Sequence, residues 1–172
     1  MNTSEAAEEL RGWFSGRLPD AWFEGAPEVV VDREEVSVVG RLPEPAAAGV
    51  SDAERAGVVA GHIQRFREDT RERRIAIARE AEQRFGYKVS WGVQCGEERE
   101  MFTTLSVPVM TRLRQHERRV LDTLVDAGVA RSRSDALAWC VRLVGKNTDE
   151  WLSELRTALQ YVERARAAGP QA

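Results

Sequence analysis

Leu124-Val125-Asp126-Ala127-Gly128-Val129-Ala130-Arg131-Ser132-Arg133-Ser134-Asp135-Ala136-Leu137 is the stretch on which the reading of this chain turns. Leu124 and Val125 close an apolar helical stripe that runs back through Leu121, Val120 and Leu113. Gly128 is where such a helix stops, because glycine enters the left-handed region without a Cβ penalty. Val129 plugs the corner. Ser132 or Ser134 then caps a second helix that carries Leu137, Cys140, Val141 and Val144. The stretch predicts a helix–turn–helix-like pair.

Toward the C-terminus the helical pattern continues. The first helix of the pair is expected over Met110–Ala127, and the second ends at Gly145-Lys146. Asn147 with Glu150 offers a capping box for a third helix. Leu152, Leu155, Leu159 and Val162 on that helix recur at three and four, as in a coiled-coil seam, and mark it as the expected dimerisation surface. Residues 110–168 thus form a three-helix unit, and residues 169–172 a flexible end.

Upstream the periodicity changes. Glu28-Val29-Val30-Val31 and Val36-Ser37-Val38-Val39, with Asp32–Glu35 between them, read as a hairpin. Val89, Trp91, Val93 and Cys95 alternate, as do Met101, Thr103, Leu105, Val107 and Val109, with Gly96–Glu100 as the polar turn. Between the hairpins Ser51 and Glu54 form a capping box, and one long helix is expected to run to Phe85 and stop at Gly86. Gly57 and Gly61 weaken that helix or let another element approach closely. The expected fold is α+β: a four-stranded antiparallel sheet (β-β-α-β-β) with one long helix, residues 13–109, followed by the helical unit. Residues 1–12 read as a flexible end or a short helix. Trp13-Phe14 and Trp22-Phe23, with Gly16 and Pro19 between them, predict an irregular segment whose rings enter a core.

The 172 residues suffice for one large or two small domains. No apolar run reaches the length of a membrane span, and Met1–Leu10 is acidic, unlike a secretory leader. Cys95 and Cys140 read as free thiols, which places the chain in the cytoplasm. The net charge of −3 is unevenly spread: residues 1–50 carry net −6 and residues 109–172 net +3, so a basic partner-facing surface belongs to the later part. Arg67, Arg71 and Arg74 share one stripe of the central helix, with Glu68, Asp69, Glu72 and Glu80 to compensate them. Trp13, Trp22, Trp91, Trp139 and Trp151 read as packing residues.

Catalytic patterns are lacking. His62 and His116 are the only histidines, and no pair of His or Cys has metal-ligand spacing, so no metal is expected. Neither phosphate-cradling glycine loops nor a Gly-x-Ser-x-Gly elbow occurs. The sequence predicts a protein that is not an enzyme and has no cofactor.

The chemistry that remains is anion recognition. A helix N-terminus carries about half a positive charge and unsatisfied N–H groups. Arg131, Ser132, Arg133 and Ser134 at such a terminus make a candidate phosphate clamp. Arg112, Arg114, Arg118 and Arg119 crowd the preceding helix with only Glu117 nearby, and extend the expected nucleic-acid surface.

Residues 103–145, most closely 124–144, resemble the ribbon-helix-helix family of DNA-binding proteins. In that family an apolar-Gly-apolar turn followed by Ser-Arg-Ser-acid-Ala-Leu opens the second helix. The resemblance implies an intertwined dimer whose paired strands enter the major groove. It implies a base-reading role for Thr104 and Ser106, and phosphate contacts from Ser132, Arg133 and Ser134. The expected function is that of a dimeric DNA-binding transcriptional regulator. The alternatives are an adaptor or assembly protein that binds another protein, and an RNA-binding protein that uses the sheet face.

Overall fold

The structure, a computed structural model, describes residues 3–46 and 49–169. Residues 1–2, 47–48 and 170–172 lie outside the described residues, which takes in the middle of the 43–49 loop and most of the expected C-terminal end. The chain divides into two compact units, Met1–Pro108 and Val109–Ala172.

The first unit is α+β. Its elements are α1 (Thr3–Arg17), β1 (Glu28–Val31), β2 (Glu35–Arg41), α2 (Asp52–Asp69), α3 (Arg71–Phe85), β3 (Lys88–Cys95) and β4 (Glu98–Met101). The sheet order is β1-β2-β3-β4. Both local hairpins are antiparallel, but β2 and β3 pair parallel, so the sheet is mixed and not the expected antiparallel one. The physical reason lies in the connection. Parallel neighbours need a crossover, and the chain makes it through α2 and α3. On the covered face Val36 stands beside Val89, Val38 beside Trp91 and Gly40 beside Val93.

Further boundaries differ from expectation. α1 runs through Trp13-Phe14 to Arg17, where a flexible end or a short helix over residues 1–12 and then an irregular segment were expected. Ala7, Leu10 and Phe14 lie on one face at helical spacing and are buried, so packing holds the helix. Phe14 meets Trp91 edge to face with centroids 6.0 Å apart, and Trp13 meets Phe85 at 5.6 Å. After Arg17 the chain is irregular, and Phe23 lies over Gly40, where a Cβ would stand 2.1 Å from its ring.

The central helix is two helices, broken at Thr70, whose hydroxyl donates to the Phe66 carbonyl at 2.7 Å. Such back-bonding bends helices. The buried Arg74 spans the break, donating to Thr70 Oγ1 at 3.0 Å and to the Arg67 carbonyl at 2.8 Å. Its guanidinium sits 4.8 Å from the centre of the Phe102 ring. Burial, and then the charges of Arg67 and Arg71, lower its pKa. Gly57 and Gly61 have open space around them.

The last strand is also displaced. Gly96, at φ +60, and Glu97 make a tight turn, Cys95 pairs with Glu98, and β4 ends at Met101. The expected strand Met101–Val109 and the expected polar turn 96–100 are therefore shifted by several residues. Phe102 N and Thr103 N donate to the Trp91 carbonyl, Leu105 N donates to Glu35 at 3.3 Å, and residues 103–114 belong to no ladder.

The second unit contains α4 (Gln115–Asp126), α5 (Arg133–Asn147) and α6 (Asp149–Ala168). α4 has 12 residues and begins five residues later than expected, because Glu117 reaches back to accept from Arg114 N at 2.6 Å and fixes the start there. Leu121, Ala130 and Ala136 form the core between α4 and α5. α5 continues past Gly145 to Asn147. The expected Asn147–Glu150 box is not formed: Asn147 donates to the Leu143 carbonyl, and Thr148 occupies the N-cap of α6.

Candidate nucleic-acid interface

Gly128 sits at φ +73 and ends α4 in the left-handed conformation. Val129 N and Ala130 N both return to the Leu124 carbonyl, at 2.9 and 3.2 Å, which closes the corner. Ser132, in extended backbone, is the N-cap of α5, and its hydroxyl accepts from Asp135 N at 3.2 Å. Asp135, in the first turn, accepts from Arg131 N at 3.0 Å and lies 3.7 Å from the Arg131 guanidinium. The Arg131 amide is the largest cause that holds the Asp135 carboxyl below the usual range. The α5 N-terminus thus already carries an anion of its own, which the Ser132-x-x-Asp135 spacing signals.

Arg133 turns the other way. Its guanidinium grips Asp122 of α4 through two hydrogen bonds of 2.6 and 2.9 Å. The pair raises the Arg133 pKa and lowers that of Asp122, which the charge of Arg118 lowers further. Arg133 therefore pins α5 to α4. Sequence reasoning missed Asp122, because no local period relates two residues on either side of a turn.

The other candidates are exposed. Arg118 and Ser134 line a shallow cavity of about 290 Å³ with Met110, Leu113 and Leu137. Arg118 also donates to the Leu113 carbonyl at 2.7 Å. Arg112 precedes α4 and Arg114 is its N-cap, in extended backbone, whereas Arg119 is on the helix. Among the described residues the side chains of these three make no ion pair.

The segment before them is open. Thr104 and Ser106 are exposed, and the apolar residues that alternate with them, Leu105, Val107 and Val109, are 37%, 46% and 83% exposed. On α6, Leu152 is half-buried, while Leu155, Leu159 and Val162 are exposed. Among the described residues no group of His, Cys, Asp and Glu could hold a metal ion, and no helix is long and apolar enough to cross a membrane.

The architecture is that of an α+β unit followed by a separate helical unit with exposed arginines around a capped helix start. Residues 8–101 match the family described as Rv1265-like protein, N-terminal domain, and residues 114–166 match the Mb1296 C-terminal domain. The chain belongs to this Rv1265-like family. It is 58% identical over 169 residues to the uncharacterised proteins Mb1296 of Mycobacterium bovis and Rv1265 of Mycobacterium tuberculosis, covering 98% of this chain and 72% of each relative. No solved structure matches the chain.

Proposed function

We propose that this chain is a dimeric DNA-binding protein, a transcriptional regulator of the cytoplasm, whose residues 103–145 work as a ribbon-helix-helix unit. The observation that carries the reading is the state of residues 104–110. They are exposed, alternate apolar with polar or proline as far as Val109, and lie in no sheet. Backbone that lies in no ladder and carries apolar residues at every second position is a template for a second strand. Pairing with the same segment of a second copy covers Leu105, Val107 and Val109 and turns Thr104 and Ser106 outward, toward bases in a major groove. The 12-residue α4, the left-handed Gly128 and the Ser132 cap follow in the order that such a unit requires.

In this reading Arg112, Arg114 and Arg119 supply free phosphate contacts, joined by Arg118, Arg131, Ser132 and Ser134. Arg133 acts through Asp122 by holding α5 in place. The first unit serves as a sensing or partner-binding module. A second reading, an adaptor for a basic protein partner, has one observation in its favour: a cavity of about 890 Å³ lined by Glu44, Asp52, Glu97 and Glu98 against Arg55 alone. RNA binding through the sheet finds little support, because Trp91 is buried and offers no face on which to stack a base.

The test is fluorescence anisotropy of the full chain with a pool of random duplexes across a salt series. Wild type is expected to bind duplex in preference to single-stranded RNA, with affinity falling steeply as salt rises. Arg112→Ala, Arg114→Ala and Arg119→Ala together lower the slope by about 3. Absence of salt-dependent binding to any duplex refutes the proposal.

A further inference from the structure

α6 is 20 residues long, and none of its residues is buried. A helix in water draws most of its stability from packing one face, so this degree of exposure calls for a partner. Leu155, Leu159 and Val162 recur at three and four and are 42%, 60% and 45% exposed. Tyr161 stands off this seam, with the Arg164 guanidinium 4.8 Å from its ring centre.

The residues that flank the seam say what covers it. One flank carries Arg156 and Glu163, opposite charges two helical turns apart, neither of them in an ion pair among the described residues. The other flank carries Ala158 and Ala165. A parallel pair of such helices would set each charged flank against the small-residue flank and leave both charges without partners. An antiparallel pair sets like flanks together. Arg156 then meets the partner's Glu163 twice across the two-fold axis, Leu159 packs against the partner's Val162, and the alanines let the helices come close. The register one heptad away opposes Arg156 to the partner's Arg156 and is disfavoured. We infer that α6 pairs antiparallel with α6 of a second copy, in the register that joins Arg156 to the partner's Glu163. This deepens the two-copy part of the proposed function, and ribbon and seam fail in separate measurements.

Arg156→Glu and Glu163→Arg test the pairing in the full chain. Each variant alone sets like charges opposite each other and associates more weakly than wild type. The double variant restores the pairs and the association. When the two single variants, distinguished by a mass tag, are co-refolded and examined by native mass spectrometry, both charge pairs are complementary only in the mixed dimer. The ratio of mixed dimer to the two homodimers together, about 1:1 for random pairing, is expected to rise about fivefold. A statistical mixture overturns the seam while leaving a ribbon-held dimer standing. Monomers alone overturn both contacts. An excess of mixed dimer from a chain that binds no duplex supports the seam and refutes only the DNA reading.

Discussion

Two glycine-to-alanine substitutions of identical chemistry should move this protein in opposite directions. Gly128 closes α4 at φ +73, and an added Cβ there would meet nothing within 4 Å. The cost of Gly128→Ala is therefore conformational and not steric, about 1 kcal/mol for an L-residue in the left-handed region. Gly61 lies inside α2, also with open space around it, and Gly61→Ala should stabilise by about 0.5–1 kcal/mol because glycine loses more freedom in a helix. Hydrogen exchange of the intact chain, read by mass spectrometry, separates the two sites. Peptides spanning the Gly128 corner should exchange about fivefold faster in the first variant, and peptides of α2 severalfold slower in the second. Gly128→Asn should fall between wild type and alanine, since asparagine tolerates the left-handed region better. If Gly128→Ala slows exchange, or both variants shift alike, the chain does not turn at Gly128 through a left-handed residue and the corner is misassigned.

Phe14→Ala empties a fully buried site against Trp91 and should destabilise the first unit by about 3–5 kcal/mol in urea unfolding, without altering exchange in α5. Gly40→Ala forces a Cβ to 2.1 Å from the Phe23 ring and should lower the melting temperature of that unit, with Phe23→Ala partly rescuing it. Asp122 and Asp135 have depressed pKa values in the folded chain, so what they contribute is present above their unfolded pKa near ~3.9 and lost as pH falls through the folded values. Asp122→Asn with Asp135→Asn should therefore be less stable than wild type at about pH 7, and the difference should shrink as pH falls through the lowered folded values and both carboxyls protonate, read as denaturation midpoints across a pH series.

Most of what could be read from the sequence was local. The first hairpin shows in its turn, where Asp32 accepts from the amides of Glu34 and Glu35, both at 2.8 Å. The joint between β2 and β3 was not legible, because its parallel direction is set by a crossover through two helices and by no residue pattern near either strand. α1 was hidden by its own aromatics: Trp13-Phe14 looks irregular as a string, whereas Leu10 and Phe14 sit one turn apart on a buried face. Thr70 gave little warning of the break between α2 and α3. In the candidate site, Gly128 and Ser132 could be read from cap chemistry alone. The grip of Arg133 on Asp122 could not, since it depends on how two helices lie together. The alternation through Leu105, Val107 and Val109 was visible, but its assignment to the sheet was wrong because Gly96 turns the chain early and β4 ends at Met101.

The proposed function stands on residues 104–110 pairing with the same residues of a second copy. A nitroxide at Ser106, with Cys95 and Cys140 replaced, reports this directly by pulsed dipolar spectroscopy of the full chain. Strands in a ladder lie about 4.8 Å apart, so two labels on an antiparallel ribbon should give one narrow intermolecular distance, on the order of 10–25 Å with the label arms included. The distance should disappear when unlabelled chain is mixed in excess before refolding. A broad distribution, or no intermolecular coupling at concentrations where the chain sediments as a dimer, contradicts the ribbon and with it the DNA-reading proposal.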